Sequence, residues 1–282
     1  MQQPGVSVVL STYNRASLLA RAIESVLGQD YDDLELIIVD DASTDGTEDV
    51  VSRFRDRRIV FVKNRANIGA AASRNRGIGL ARGDYVAFQD SDDVWLAGKL
   101  RRQVESLSDP ARPYDACFSS YWKFGPAGIR LVPGKGEVDA GSDLFPQLLR
   151  GNFIGLPTLL VRRDRLMEVG ALDERLPRLM DWDLALRLTR SCRVFFCEEP
   201  LLLACDSGQG ISEDVDAYLE AVDIILSKYA PHYRKRWWLI VNSHLFNAKY
   251  LARNRRFSLA LRSAARALET LGDRALGRDI RV

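Results

Sequence analysis

Val86-Ala87-Phe88-Gln89-Asp90-Ser91-Asp92-Asp93 is an apolar, strand-like run that ends in three carboxylates within four residues. Alternation along a strand places Asp90 and Asp92 on one face and Asp93 on the other. Like charges held this close repel unless a cation sits among them. Aspartate oxygens suit a hard divalent ion such as Mg or Mn, and such an ion favours a diphosphate. The ligand this points to is a nucleotide with metal-bridged phosphates. The same residues also read as a solvated Asp-rich turn after an edge strand, and the segment alone does not separate the two readings. Its surroundings do.

Upstream, Val6 to Leu10 reads as a buried strand followed by the polar turn Ser11-Thr12-Tyr13-Asn14-Arg15. Leu18, Leu19, Ala22, Ile23, Val26 and Leu27 then recur at helical spacing, with Gly28 placed to end the run. A second strand, Leu34 to Val39, ends in Asp40-Asp41, and Asp45 with Glu48 forms a capping-box pattern for the next helix. After a strand from Ile59 to Val62, a small-residue helix opens at Asn67-Ile68-Gly69-Ala70 and runs to about Ala81, and Gly83-Asp84 turns the chain into the carboxylate-tipped strand. Alternating strands and helices predict an α/β fold: a doubly wound, mostly parallel, Rossmann-like sheet whose ligands lie beyond the carboxyl ends of the strands. Three such ends carry acidic or hydroxyl residues: Ser11 to Asn14, Asp40 with Asp41, and Asp90 to Asp93.

These stretches, residues 6–14, 39–47, 67–75 and 90–93, resemble a family 2 glycosyltransferase of the GT-A fold. The resemblance is specific over about the first hundred residues and looser to about Asp206. It implies a metal-dependent, inverting transfer of a sugar from a nucleotide-diphosphate donor, most often UDP-linked, to an acceptor hydroxyl. It also implies roles for individual residues. Ser11, Thr12 and Tyr13 would lie near the nucleotide, with the Tyr13 ring free to stack; Asp40 would accept a hydrogen bond from the base; Arg74 would meet the nucleotide or its phosphates. Asp90 would contact the ribose, Ser91 would bind the nucleotide, and Asp92 would hold the metal, Mn or Mg, with Asp93 in a supporting or structural place. Each has a plain alternative: a turn for Tyr13 and for Asp40-Asp41, and a surface arginine for Arg74.

A base must take the proton of the acceptor hydroxyl. Met180-Asp181-Trp182-Asp183-Leu184 resembles the family's Glu-Asp motif at a helix start, with Asp181 matching the base and Asp183 its rival. Asp181 reads equally as the N-cap of a helix from Trp182 to Thr189. Met180 stands where an acidic residue often precedes the base. After a last core strand, Leu201 to Cys205, the loop holding Asp206, Gln209 and Ser212 departs from the family's pattern and reads as a lid over the phosphates or as a plain surface loop. Between these, Tyr114 to Pro157 should contain the acceptor-facing elements. It holds a strand from Asp115 to Tyr121, a hairpin turn at Gly125 to Gly128 and the loop Asn152 to Thr158, which reads either as lining the sugar pocket or as an ordinary connection.

At 282 residues with 46% hydrophobic content, the chain can hold one large domain with an appendage. The expected division is a catalytic domain over residues 1–212 and a basic helical region over 213–282. No apolar run approaches the roughly twenty residues that span a bilayer, and residues 1–5 lack a basic secretion start, so a cytoplasmic protein is expected. Cys117, Cys192, Cys197 and Cys205 show no zinc-type spacing and read as reduced. From Lys228 onward there are 13 Lys plus Arg against 3 Asp plus Glu, a net +10, which leaves −8 for the rest of a chain whose total is +2. This basic tail reads as a surface touching anionic lipid at the inner face of the membrane, near a carbohydrate or lipid-linked acceptor, or as a helical pair with a solvated face. No nucleic-acid motif is present. Absence of a Gln-x-x-Arg-Trp pattern and of spanning segments favours single addition over polymerisation. A nucleotidyltransferase would need a glycine in the loop Ser11 to Arg15, which has none; Met180 and the altered loop leave a non-catalytic sugar-nucleotide binder as a further alternative.

Overall fold

Leu34–Asp40 is buried along its whole length, as a strand is when helices cover both faces of its sheet. A computed structural model describes residues 4–125, 128–205 and 214–275. In chain order its elements are β1 (Val6–Thr12), α1 (Ala16–Leu27), β2 (Leu34–Asp40), α2 (Thr47–Ser52), β3 (Ile59–Lys63), α3 (Ala70–Leu80) and β4 (Tyr85–Asp90). There follow β5 (Val94–Trp95), α4 (Lys99–Ser108), β6 (Ala116–Gly125), β7 (Gly128–Val132), α5 (Leu144–Leu148), β8 (Leu160–Arg162), α6 (Arg163–Glu168), α7 (Met180–Ser191) and β9 (Val194–Cys205). The chain continues as α8 (Val215–Lys228), α9 (Ala230–Arg234), α10 (Trp237–Arg253) and α11 (Phe257–Ala275).

The strands form one sheet in the order β3-β2-β1-β4-β8-β6-β9-β5, with β7 beside β6. The first four run parallel to one another. The other half is mixed: β8 is antiparallel to β4 and β6, and β5 to β9, while β6 and β9 are parallel. The α/β fold expected from the sequence is present, with its parallel character concentrated in the first ninety residues. Val8, Leu10, Leu36, Ile38 and Ala87 pack with Leu19, Ile23 and Val26 of α1 in one core cluster. On α3, Gly77 allows close approach to the sheet, since a Cβ there would stand 2.5 Å from Val9 Cγ1. The capping box is not formed. The Asp45 carboxylate takes the backbone N–H of Thr47 and of Ala16, while Glu48 pairs with Lys63 at 3.1 Å.

At the amino ends of the parallel strands the Ser7 hydroxyl donates to Glu35 at 2.6 Å and accepts from the backbone N–H of Gly83 at 2.8 Å and of Arg82 at 3.1 Å. Arg82 adds a guanidinium bond of 2.6 Å to the same Glu35 carboxylate, which satisfies an otherwise costly buried charge. A Cβ on Gly83 would sit 2.6 Å from the Ser7 nitrogen, so only glycine fits that turn.

The described residues fall into two compact units. Residues 4–148, 152–175 and 180–205 make the first, which holds the whole sheet; 149–151, 176–179 and 214–275 make the second, which holds α8 to α11. The second unit thus includes two short segments from earlier in the chain. Arg178 donates to the Asp214 carbonyl at 2.6 Å, and the Tyr233 hydroxyl to that of Leu149 at 3.2 Å. The expected boundary at 212, the lid loop of Asp206, Gln209 and Ser212, and Pro126 and Ala127 of the hairpin lie outside the described residues. Among those described, no helix is long and apolar enough to cross a membrane.

Candidate active site

Parallel pairing brings three strand ends to one edge: Thr12 lies opposite Asp40, and Ser11 opposite Asp90. The loops that leave β1 and β2 are tied together, with Asn14 N–H donating to Ser43 Oγ and Thr44 N–H to Asn14 Oδ1, both at 2.8 Å. Asn14 and Ala42 take left-handed backbone (φ 50° and 63°), a strained state that gathers at functional loops. Asp40 is fully buried. Its Oδ1 accepts from Ser43 N–H at 2.9 Å; its Oδ2 has no hydrogen-bond partner, the Lys63 ammonium standing 3.7 Å away. Thr12 Oγ1 is likewise buried and unpaired. Buried polar atoms of this kind are normally satisfied, so an incoming donor and acceptor would find ready partners here. Tyr13 is 46% exposed, which leaves its ring free rather than part of the core. Asp41 has a different job, since its carboxylate takes the N–H groups of Ile68 and Gly69 and the Asn64 amide and so sets the start of α3.

β4 ends at Asp90, so strand alternation does not extend to Asp92 and Asp93 as the sequence led us to expect. The chain turns instead, with Asp93 N–H donating to the Asp90 carbonyl at 3.2 Å. Ser91 and Asp93 are buried. The Asp93 carboxylate accepts from Cys205 N–H at 3.2 Å; burial first, then the charges of Asp90 and Asp92, hold its pKa well above the usual carboxylate range. Arg74 proves to be a largely covered partner of Asp90: its guanidinium donates to Asp90 Oδ1 at 2.5 Å and approaches Met180 Sδ at 3.6 Å. The Asp92 carbonyl is held by Arg21 at 2.8 Å. Crowded negative charge and hard oxygen donors on this loop fit a divalent cation. Among the described residues no three His, Cys, Asp or Glu side chains group closely enough to hold an ion unaided, so Asp40 is not drawn into a shared cage with the loop.

On the other side of the sheet's midpoint, α7 begins at Met180, which places Asp181 inside the first turn and not at the N-cap. Asn152 Nδ2 donates to Asp181 Oδ2 at 2.9 Å and Trp182 N–H to Oδ1 at 2.8 Å. The Asn152 carboxamide is itself oriented, because its Oδ1 accepts from Ile154 N–H at 3.0 Å. Burial pushes the Asp181 pKa up to about 6, opposed by the Trp182 N–H and by Arg74 and reinforced by the Asp90 charge. Asp181, Asp90 and Arg74 therefore share one electrostatic neighbourhood. Tyr121 joins it, its hydroxyl pushed up to about 12 by burial and then by the Asp181 charge. Asp183 differs. It is fully buried and bonded to Arg187 Nε at 2.8 Å, while Arg187 also clasps the Ala171 carbonyl at 2.6 Å. Sequence reading singled out neither Tyr121 nor the Asn152 amide, and no local motif marks them; only the flagged loop Asn152 to Thr158 gave a hint.

An α/β sheet with a parallel half whose polar strand ends gather at one edge defines the class of the molecule. Residues 7–135 match the family model "Glycosyl transferase family 2". Over 207 residues the chain is 31% identical to the uncharacterized glycosyltransferase MJ1057 of Methanocaldococcus jannaschii, covering 72% of this chain and 71% of that one. It is 41% identical over 102 residues to the Escherichia coli UDP-Glc:alpha-D-GlcNAc-diphosphoundecaprenol beta-1,3-glucosyltransferase WfaP, covering 36% of this chain and 41% of that one. The match thus spans less than half of WfaP. Among solved structures, S. aureus TarS 1-349 in complex with UDP-GlcNAc superposes with a TM-score of 0.65 at 18% identity, covering 97% of this chain and 92% of that one. The mannosyltransferase PcManGT of Pyrobaculum calidifontis, in complex with GDP-Man and Mn2+, gives 0.64 at 21%, covering 96% and 76%. The fold is GT-A. The chain belongs to the family 2 glycosyltransferases.

Proposed function

We propose that the protein transfers one sugar from a nucleotide-diphosphate donor, UDP-linked, to an acceptor hydroxyl with inversion at the anomeric carbon. The observation that carries this reading is the meeting of Asp181, Asp90 and Arg74 in one neighbourhood next to the edge where Thr12 and Asp40 keep buried polar atoms without a hydrogen-bond partner. Asp40 Oδ2 accepts a ring N–H of the base, Thr12 and Ser11 line its approach, and Tyr13 offers a stacking face. Asp90, oriented by Arg74, and Ser91 face the ribose. Asp92 would hold a divalent ion, Mn or Mg, which when bound neutralises charge on the departing nucleotide diphosphate.

Asp181 takes the proton of the attacking hydroxyl. With its pKa near 6 it is mostly ionised at neutral pH yet basic enough to accept a proton, the compromise general bases require. Asn152 and the Trp182 N–H fix both carboxylate oxygens, so the lone pairs that remain have a defined direction. A UDP-sugar fits because WfaP is named for UDP-Glc and TarS was solved with UDP-GlcNAc; a lipid-linked carbohydrate acceptor fits because WfaP is named for one.

The test is turnover with a panel of sugar nucleotides and lipid-linked acceptors in the presence of Mn or Mg. Activity is expected with at least one UDP-sugar, to be lost on chelation, and Asp92→Asn is expected to raise the metal concentration needed for half-maximal rate. Unchanged metal dependence in Asp92→Asn would remove that residue from the assignment.

A further inference from the structure

Among the described residues, large apolar side chains left in solvent concentrate on α10 and α11. Trp238, Leu245 and Phe246 are 47%, 45% and 60% exposed; Phe257, Leu261 and Leu268 are 63%, 72% and 69% exposed. Their spacing gives them a shape. At 100° per residue, Phe257, Leu261, Ala264 and Leu268 fall at i, i+4, i+7 and i+11, one stripe of α11. A different arc, Ala260, Ser263, Ala267 and Thr270, is the one buried; the Ser263 hydroxyl donates to the His244 carbonyl of α10 at 2.9 Å. Helix α11 therefore carries two faces of low polarity and packs only one of them. On α10, Trp238, Leu245 and Lys249 form a comparable outward row at i, i+7 and i+11, with Arg253 beside them.

Charge decides what the uncovered faces suit. From Tyr229 to Arg256 there are seven Lys plus Arg and no Asp or Glu. Lys235, Lys249, Arg253 and Arg255 are exposed. A second copy of the chain would bring this one-signed stretch against its own like, and a nucleic acid has no use for rows of leucine. A bilayer with anionic headgroups answers both properties, as aliphatic and aromatic side chains enter the headgroup boundary while long basic side chains reach the phosphates. We propose that the outward faces of α10 and α11, led by Trp238, Phe246, Phe257, Leu261 and Leu268, dock on an anionic lipid surface. This does not depend on the transferase reading, because it can be tested without turnover.

The experiment is sedimentation of the full chain with extruded vesicles of phosphatidylcholine alone or mixed with phosphatidylglycerol, across a range of salt. Binding is expected with the anionic vesicles, to weaken as salt rises, and to be slight with phosphatidylcholine alone. The triple variant Phe257→Ser, Leu261→Ser, Leu268→Ser and, separately, Lys249→Glu with Arg253→Glu should each lower partitioning by about tenfold or more. Circular dichroism melts confirm that these exposed substitutions leave the fold intact. No pelleting with anionic vesicles at low salt overturns the proposal, as does pelleting that neither variant changes. So does a vesicle-indifferent dimer in light scattering that the triple variant converts to monomer, since a second copy would then be the occupant.

Discussion

The two halves of the sheet make their contributions to the site in different ways. In β3-β2-β1-β4 the candidate groups sit where parallel strands end, and neighbouring ends are adjacent by construction, so Ser11, Thr12, Asp40 and Asp90 converge through backbone pairing alone. In β8-β6-β9-β5 and the segments packed on it, Asp181 and Asn152 come from separate elements and meet through a side-chain hydrogen bond, while Tyr121, from a third, feels the Asp181 charge. The first half is a platform. The second is an assembled device, and its parts should be individually more sensitive.

The most demanding test of that contrast is Asp181→Asn. Loss of the base should lower transfer about 10²–10⁴-fold, with UDP affinity by calorimetry unchanged because the platform is untouched. Retained transfer would end the assignment of the base to α7. Next comes Asp183→Asn. Breaking the pair that the fully buried Asp183 makes with the partly buried Arg187 should cost about 3 kcal/mol of stability in denaturant titration, and this marks Asp183 as a packing residue of the same helix.

Lys99 carries the contrast into the core of the mixed half. It is fully buried, with its ammonium 2.6 Å from Gln103 Oε1 and 4.1 Å from the centre of the Trp95 ring; burial lowers its pKa to about 7, with Cys117 and Cys197 opposing. The unfolded chain, with an ordinary lysine near 10.4, binds more protons than the folded one between these values. Stability should therefore rise from pH 7 toward pH 10 and be lowest at and below 7. Lys99→Met should flatten that slope and gain about 1–4 kcal/mol at neutral pH, readable in melts at several pH values. The smallest expected effect is that of Asn152→Ala. Without this donor the ionised Asp181 is less favoured, its pKa climbs further above the usual range, and the acid limb of the kcat/KM profile moves to higher pH, with roughly a few-fold loss near neutrality.

Legibility in the sequence followed the same division. Strand ends in the parallel half sit in short contiguous stretches, so Ser11 to Asn14, Asp40-Asp41 and Asp90 to Asp93 could be read directly, and the register then brought them together. Asp181 was legible only by its likeness to a motif. Its partners were not, because Asn152 lies 29 residues away and Tyr121 further, and no periodicity links positions joined only by tertiary packing. Two local rules failed where tertiary structure outcompeted them: alternation beyond Asp90, where the chain turns, and the Asp45-Glu48 box, where Ala16 and Lys63 claim the two carboxylates. The mixed order of the second half was hidden for a related reason, since β8 is three residues long and its place between β4 and β6 leaves little trace in its own sequence.

The Ser7 hydroxyl, hydrogen-bonded to Glu35 and to the turn at Gly83, has an effect at the far end of the strands. Side chains on a strand alternate, so a slip of one position between β1 and either neighbour would exchange inward and outward residues and carry Asp40 or Asp90 to the wrong side. Tying all three strands at their beginnings, through a turn that accepts no side chain, removes that freedom before the polar ends are reached. Parity at the polar edge is thus set by a knot of neutral and paired groups at the opposite end of the strands.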